Sequence, residues 1–182
     1  MRLRLFILLC STGLACTGAV AVAAGAHPKR AAGVAPVRIP ALPAHSEAVV
    51  GQCPIPSKFR PAFVRAARDT GFQLSMLVAV AQVESRFKAN ARSKADARGL
   101  LQVTPRTAAE LKLNVDDPAS NVLAGARYLR LMLDRFQRTD LALAAYNAGP
   151  TVVDRLGRAP SQETQTYIAN VQQRWAALAG CN

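Results

Sequence analysis

The segment LVAVAQVESRF, Leu77 to Phe87, reads as helix, and its reading decides the fold. Leu77, Val80 and Glu84 stand three and four residues apart, so a helix puts them on one face. Met76, Ala81 and Val83 make the segment apolar almost all round. A helix apolar on every side must be surrounded by other elements, which places this one at the centre of its domain. A carboxylate on such a helix loses water, and its pKa should rise. Two readings of Glu84 fit the spacing. It is either a glutamate at the exposed end of the helix, paired with Arg86 or Arg127, or a general acid kept protonated near neutral pH at the wall of a groove.

Outward from this segment the spacing stays helical. From Phe59 onward no run alternates in the manner of a strand. FRPAFVRAARDTG gives a first helix stopped by Gly71. Ser75 is expected to cap the second, which should run to about Phe87. ANARSKADARG reads as a polar loop. Thr104-Pro105 is a cap followed by a first-turn proline and opens a short helix. Asp117-Pro118 repeats the signal and opens the longest helix, with Val122, Ala126, Leu129, Leu133 and Phe136 on one stripe. Asp140 starts LALAAYNAG, expected to end at Gly149-Pro150. Ser161 caps the last helix, whose stripe is Thr164, Tyr167, Ile168, Val171, Trp175 and Leu178. The prediction is an all-α domain of six or seven helices.

The rest of the 182 residues has a different character. Residues 1–26 carry Arg2 and Arg4, a long apolar run and the small-x-small triplet Ala24-Gly25-Ala26. They read as an export signal, with a membrane anchor as the alternative. Residues 27–51, rich in alanine and proline, read as an extended linker. That leaves 52–182 as one domain, large enough to bury a core. Four cysteines become two once the signal is removed: Cys53 and Cys181, at the two ends of the domain. In an oxidising compartment they are expected to form a disulfide; two unrelated thiols are the alternative.

Lys and Arg number 23 against 11 Asp and Glu. An exported chain so basic is expected to make electrostatic contact with anionic cell-wall polymers or membranes, unless the charge serves solubility alone. Nucleic acid is not expected as a partner, because aromatic residues are few and the basic ones scattered. Nothing in the sequence sets an oligomeric state.

Residue types exclude several chemistries. Both histidines, His27 and His45, fall in the linker, so a Ser-His-Asp or Cys-His site inside the domain is excluded. The cysteine and histidine spacing suggests no metal site, and no cofactor is expected. No glycine-rich phosphate loop is present. Carboxylates, hydroxyls and amides remain. Asp69, Glu110, Asp134 and Asp154 sit among polar neighbours, Asp117 and Asp140 favour helix starts, and Asp96 lies in a loop. Glu84 is the acid without a bland explanation.

Three further stretches complete a pattern: GLLQVTP (Gly99 to Pro105), AYNAGP (Ala145 to Pro150) and ETQTYIANV (Glu163 to Val171). With Glu84-Ser85 and DPASNVLAGARYL (Asp117 to Leu129), the region from Phe59 to Val171 resembles the soluble type of lytic transglycosylase domain, related to goose-type lysozyme. The resemblance implies a lysozyme-like helical fold acting on peptidoglycan glycan strands. It implies cleavage of the β-1,4 bond between N-acetylmuramic acid and N-acetylglucosamine without water, leaving a 1,6-anhydro ring. Matched motif by motif, it makes Glu84 the catalytic acid. It makes Ser85, Gln102, Tyr146, Asn147 and Tyr167 substrate-binding or acid-neighbouring residues. A hydrolytic muramidase on the same fold and a non-catalytic wall-binding module are the competing readings. A retaining glycosidase also needs a second carboxylate about 5 Å from the first; Glu163 is the best candidate, but it sits in a helix's first turn. Two positions depart from the family pattern. Leu101 replaces a methionine at similar volume. Asp96 replaces a small glycine; if that position needs positive φ, Asp tolerates it better than most residues.

Overall fold

A computed structural model describes residues 51–181. The expected signal and the linker through residue 50 lie outside the described residues. Seven α-helices follow a short 3₁₀ turn at Ser57–Phe59: α1 (Arg60–Thr70), α2 (Leu74–Glu84), α3 (Pro105–Glu110), α4 (Pro118–Phe136), α5 (Thr139–Ala148), α6 (Pro150–Leu156) and α7 (Gln162–Ala177). The class is all-α. Among the described residues the sole extended pairing is a pair of isolated bridges from Arg98, to Arg92 and to Val103. No described helix is long and apolar enough to cross a membrane.

Helix α2 is central, as its all-round apolar surface demands. Ser75 through Ala81 are all buried, and α2 packs against α1 and α7. Helix α4 packs on α1 and α5, and α7 also packs on α5. Phe63, Leu77, Val80, Leu100, Leu101, Val122, Leu129 and Leu143 form the middle of the core, each at most 1% exposed. Met132, Ala144, Ala145 and Val153 form a smaller cluster beneath α6, against which Leu133 and Phe136 pack.

The end signals hold for most helices. Thr104, Asp117 and Ser161 each accept a backbone N–H from three residues on, satisfying a donor that the first turn leaves open. Gly71 closes α1 in the left-handed conformation. Two expectations need correction. Ser75 does not cap α2: the cap position is Gln73, and Ser75 lies buried inside the first turn. Gly149-Pro150 does end α5, but Pro150 immediately opens α6. Proline suits a first helical position, where its missing N–H would have no partner. Cys53 and Cys181 are joined as a disulfide, Cα to Cα 4.7 Å, so the two ends of the domain are tied together.

Candidate active site

Glu84 is the last residue of α2, and the way that helix ends sets its surroundings. The Ser85 N–H closes the final turn on the Ala81 carbonyl at 3.1 Å. Arg86 and Phe87 then both take positive φ, 52° and 61°, and turn the chain out of the helix. Such a conformation is uncommon for residues with large side chains. Phe87 is held in it by an edge-on contact with buried Phe63, ring centres 5.7 Å apart. The turn leaves the Glu84 carboxyl half-buried at the end of an apolar helix.

The Tyr167 hydroxyl, from α7, donates to Glu84 Oε1 at 2.7 Å. Burial pushes the Glu84 pKa up to about 7, against the lowering effect of that hydrogen bond. Those two influences account for the shift; no nearby charge contributes. Neither Arg86 nor Arg127 pairs with the carboxyl. Arg127 forks onto Asp69 at 2.8 and 2.9 Å. Tyr167 is itself kept protonated, because burial and the neighbouring Glu84 charge both raise its pKa. Glu163 stands exposed in the first turn of α7.

The loop from residue 88 to 104 is tied to the residue after Glu84 and to α5. Ser85 Oγ donates to the Leu100 carbonyl at 2.8 Å. The Tyr146 hydroxyl, from α5, donates to the Leu101 carbonyl at 2.7 Å. Each hydroxyl thus spends its one proton on the loop and retains acceptor capacity. Gln102 has positive φ, 45°. Its amide nitrogen donates to the Gly99 and Ala91 carbonyls at 3.0 and 3.2 Å, leaving its amide oxygen to offer. Asn147 is exposed, and its Oδ1 accepts from Thr164 at 3.1 Å, which orients its NH₂. Asp96 takes φ 58°, as the glycine it replaces would allow, and its charge is met by Arg98 at 2.9 Å and Arg92 at 3.7 Å.

Gln102, Tyr146 and Asn147 line one pocket of about 270 Å³ together with Thr107 and Tyr128. Glu84, Ser85 and Tyr167 are not among its lining residues. Tyr146 connects the two groups: burial and the Glu84 charge both push its pKa far up. Its ring lies on Tyr128 at 5.4 Å between centres.

Sequence reasoning missed three residues that hold this arrangement. Asn121, fully buried on α4, accepts from the Leu101 N–H at 2.9 Å and donates to the Arg98 and Val115 carbonyls at 2.8 and 3.1 Å. Gly99 passes so close to it that a Cβ would sit 2.5 Å from Asn121 Nδ2. A Cβ on Gly125 would sit 2.5 Å from Leu101 Cβ and 2.9 Å from the Tyr146 hydroxyl. Asn121 falls outside the apolar stripe read on the longest helix, so that pattern carried no signal for its burial.

The transglycosylase SLT domain model matches residues 61–168. The chain belongs to that family. The match takes in Glu84, Ser85, Gln102, Tyr146, Asn147 and Tyr167 and leaves both cysteines of the disulfide outside. This SLT domain is 40% identical over 92 residues to membrane-bound lytic murein transglycosylase F of Cellvibrio japonicus, covering 46% of this chain and 19% of that protein. It is 35% identical over 102 residues to the protein of the same name from Nitrosospira multiformis, covering 52% and 21%. Among solved structures it resembles an inactive mutant of lytic transglycosylase Slt from Pseudomonas aeruginosa, with TM-score 0.61, 30% identity, 68% of this chain and 24% of that one. It also resembles the 70 kDa soluble lytic transglycosylase of Escherichia coli, with TM-score 0.60, 27% identity, 66% and 24%. The chain thus spans about a fifth to a quarter of the length of these relatives.

Proposed function

We propose that this SLT domain is a peptidoglycan lytic transglycosylase in which Glu84 serves as both acid and base. One observation carries the reading. Glu84 is the sole carboxyl among the described residues whose pKa is pushed up, and its charge acts on Tyr146, which lines a pocket with Gln102, Asn147 and Tyr128. An acid with a pKa near the working pH protonates a poor leaving oxygen efficiently.

In the proposed reaction, protonated Glu84 gives its proton to the oxygen linking N-acetylmuramic acid to N-acetylglucosamine, and that C–O bond breaks. The substrate's own acetamido oxygen stabilises the anomeric carbon. Glu84, now ionised, takes the proton of the muramic 6-hydroxyl as that oxygen bonds to the same carbon. The acid is regenerated, no water is consumed, and the product is the 1,6-anhydro sugar. Intramolecular attack gains from proximity and dispenses with a second carboxylate. The exposed position of Glu163 and the lack of any charge acting on Glu84 support a single-acid scheme. Tyr167 orients the carboxyl, while Gln102 and Asn147 offer amide groups suited to N-acetyl and hydroxyl substituents. Ser85 and Tyr146 act by fixing the loop that carries Gln102. The signal pattern of residues 1–26 supports export toward the polymer, and the high net positive charge supports attraction to anionic wall components.

The test is Glu84→Gln, which keeps shape but cannot shuttle the proton. Turnover on purified peptidoglycan should fall by at least about 10²-fold, with the fold retained by circular dichroism. A folded variant with near-normal turnover would sink the assignment.

A further inference from the structure

Four charged side chains that the proposed chemistry does not use close a ring on the loop. Arg98 forks onto Asp96, Nε to Oδ1 at 2.9 Å and Nη2 to Oδ2 at 3.0 Å. Arg98 Nη1 also donates to Asp116 Oδ2 at 2.9 Å, and Arg92 Nη2 donates to Asp116 Oδ1 at 3.2 Å. Arg92 Nη1 lies 3.7 Å from Asp96 Oδ1, so each arginine meets both aspartates. Asp116 belongs to the connection from α3 to α4, so the ring joins the loop to a second segment of chain. A lone exposed ion pair contributes little; a forked arginine within a network is the arrangement in which such pairs matter.

The backbone beside these arginines is what orients Gln102. Arg98 and Val103 exchange N–H to carbonyl bonds at 2.9 and 3.0 Å, which closes residues 99–102 into a turn. The Ala91 carbonyl, next to Arg92, accepts both the Gly99 N–H at 2.9 Å and the Gln102 amide nitrogen at 3.2 Å. The register of Ala91 against Gly99 therefore decides where the Gln102 amide oxygen points. Ser85, Asn121 and Tyr146 bond to the loop at Arg98, Leu100 and Leu101, not at Ala91 or Arg92. Arg92 and Arg98 face each other across an isolated antiparallel bridge, and the two aspartates join their side chains. A glycine at position 96 would supply the φ of 58° equally well, so what Asp96 adds there is its carboxylate.

We propose that Asp96 and Asp116 are positioning residues for Gln102. By coupling Arg92 to Arg98 they hold the segment that carries the Ala91 carbonyl against the segment that carries Gly99. The Gln102 amide is thereby fixed by its nitrogen, with its oxygen offered to the pocket. The inference rests on the glycan-strand reading above for the task that Gln102 performs, and it adds two residues outside the pocket to that task.

Asp96→Asn and Asp116→Asn each remove one charge from the ring and keep the side chain's size, and asparagine tolerates the left-handed conformation at position 96. Both positions are exposed, so both variants should fold. The first measurement needs no substrate: exchange of the Gln102 side-chain NH₂ with water, followed by NMR. Each variant should speed that exchange at least about threefold, as expected when hydrogen bonds to it loosen, while the backbone amides of α4 keep their wild-type rates. The second measurement is a mutant cycle on soluble glycan strands. Each variant should lower kcat/KM at least about threefold when Gln102 is present and leave it nearly unchanged in a Gln102→Ala background, because the effect passes through that one side chain. Unchanged exchange in both variants overturns the proposal. So does a loss of activity of the same size with and without Gln102, which is what a purely structural role would give. Wild type that cleaves no glycan strand overturns the glycan reading instead, and the exchange rates then decide by themselves whether the ring holds the Gln102 amide.

Discussion

At the scale of single residues, Glu84 carries the account, and its protonation has consequences for activity and stability. Its pKa rises from 4.5 to about 7 on folding, chiefly through burial. In the proposed reaction the acid form is the one that starts the cycle, so kcat/KM should decline as pH rises through about 7. Tyr167 lowers that pKa by its hydrogen bond. Tyr167→Phe should therefore move the alkaline limb of the pH profile to higher pH, and a limb that stays put or moves down would contradict the contact. The stability linkage has the opposite sense to that of a salt-bridged carboxylate. Between the unfolded and folded pKa values the native state holds more protons, so stability falls as pH climbs through this window. Glu84→Gln removes that penalty. It should melt above wild type at pH 8, with the gap closing toward pH 5, by a margin on the order of 3 kcal/mol at most. Equal melting temperatures across the range would mean the carboxyl is not buried as described. The oddity of Glu84 was legible in sequence, because Leu77 and Val80 share its face. Its partner was not legible by spacing: Tyr167 stands 83 positions away, and only the resemblance brought the two together.

At the scale of elements, the loop after α2 is held by side chains of other helices more than by its own sequence. Of the six residues other than glycine with positive φ among the described residues, four lie between Arg86 and Gln102. Strain of this kind persists where surroundings over-determine it, and it clusters at functional sites. Here the surroundings are Asn121, Ser85 and Tyr146, each bonded to the Arg98–Leu101 stretch. Gly125→Ala should drive a methyl into Leu101 and the Tyr146 hydroxyl, costing about 1–3 kcal/mol and most of the activity. Asn121→Ala would strand the Leu101 N–H and the Val115 carbonyl, at about 1–3 kcal/mol for each group left buried and unpaired, while the Arg98 carbonyl keeps the Val103 N–H. Chemical denaturation measures both, and a neutral effect of either would show that the loop is held by something else. Helix ends such as Thr104-Pro105 and Asp117-Pro118 were legible because capping is local chemistry. Asn121 and Gly99 were not, because their fit is made across α4 and the loop. Ser75 misled for the same reason, since burial against neighbouring helices overrode its capping preference. Helix α6 was overlooked because Gly149-Pro150 both stops one helix and starts the next.

At the scale of the whole molecule, the all-α class followed from helical spacing that runs from Phe59 onward without an alternating run, and the all-round apolar surface of α2 told which helix is central. The Cys53–Cys181 disulfide lies outside the family match and closes a loop of 128 residues. In the chain-entropy model such a loop stabilises by about 4–5 kcal/mol. Reduction, or Cys53→Ser with Cys181→Ser, should lower the melting temperature while leaving the pH profile of turnover unchanged; an unaltered melting temperature would show the tie to be idle. The proposed attraction of a chain with 23 Lys and Arg against 11 Asp and Glu to anionic wall components should make wall association salt-dependent. Sedimentation with whole walls should weaken as the Debye length shrinks from about 30 Å at 0.01 M salt to about 8 Å at 0.15 M. Binding flat across that series would leave affinity to the groove alone. What ties the scales together is the claim that one carboxyl, without a second, breaks the glycan strand and lets the sugar close on itself. Mass spectrometry of peptidoglycan digested to completion by the wild-type protein tests this most directly. The account predicts muramic ends that are 1,6-anhydro, lighter by one water than reducing ends. Reducing ends as the main product would contradict it, because water rather than the 6-hydroxyl would then have been the nucleophile.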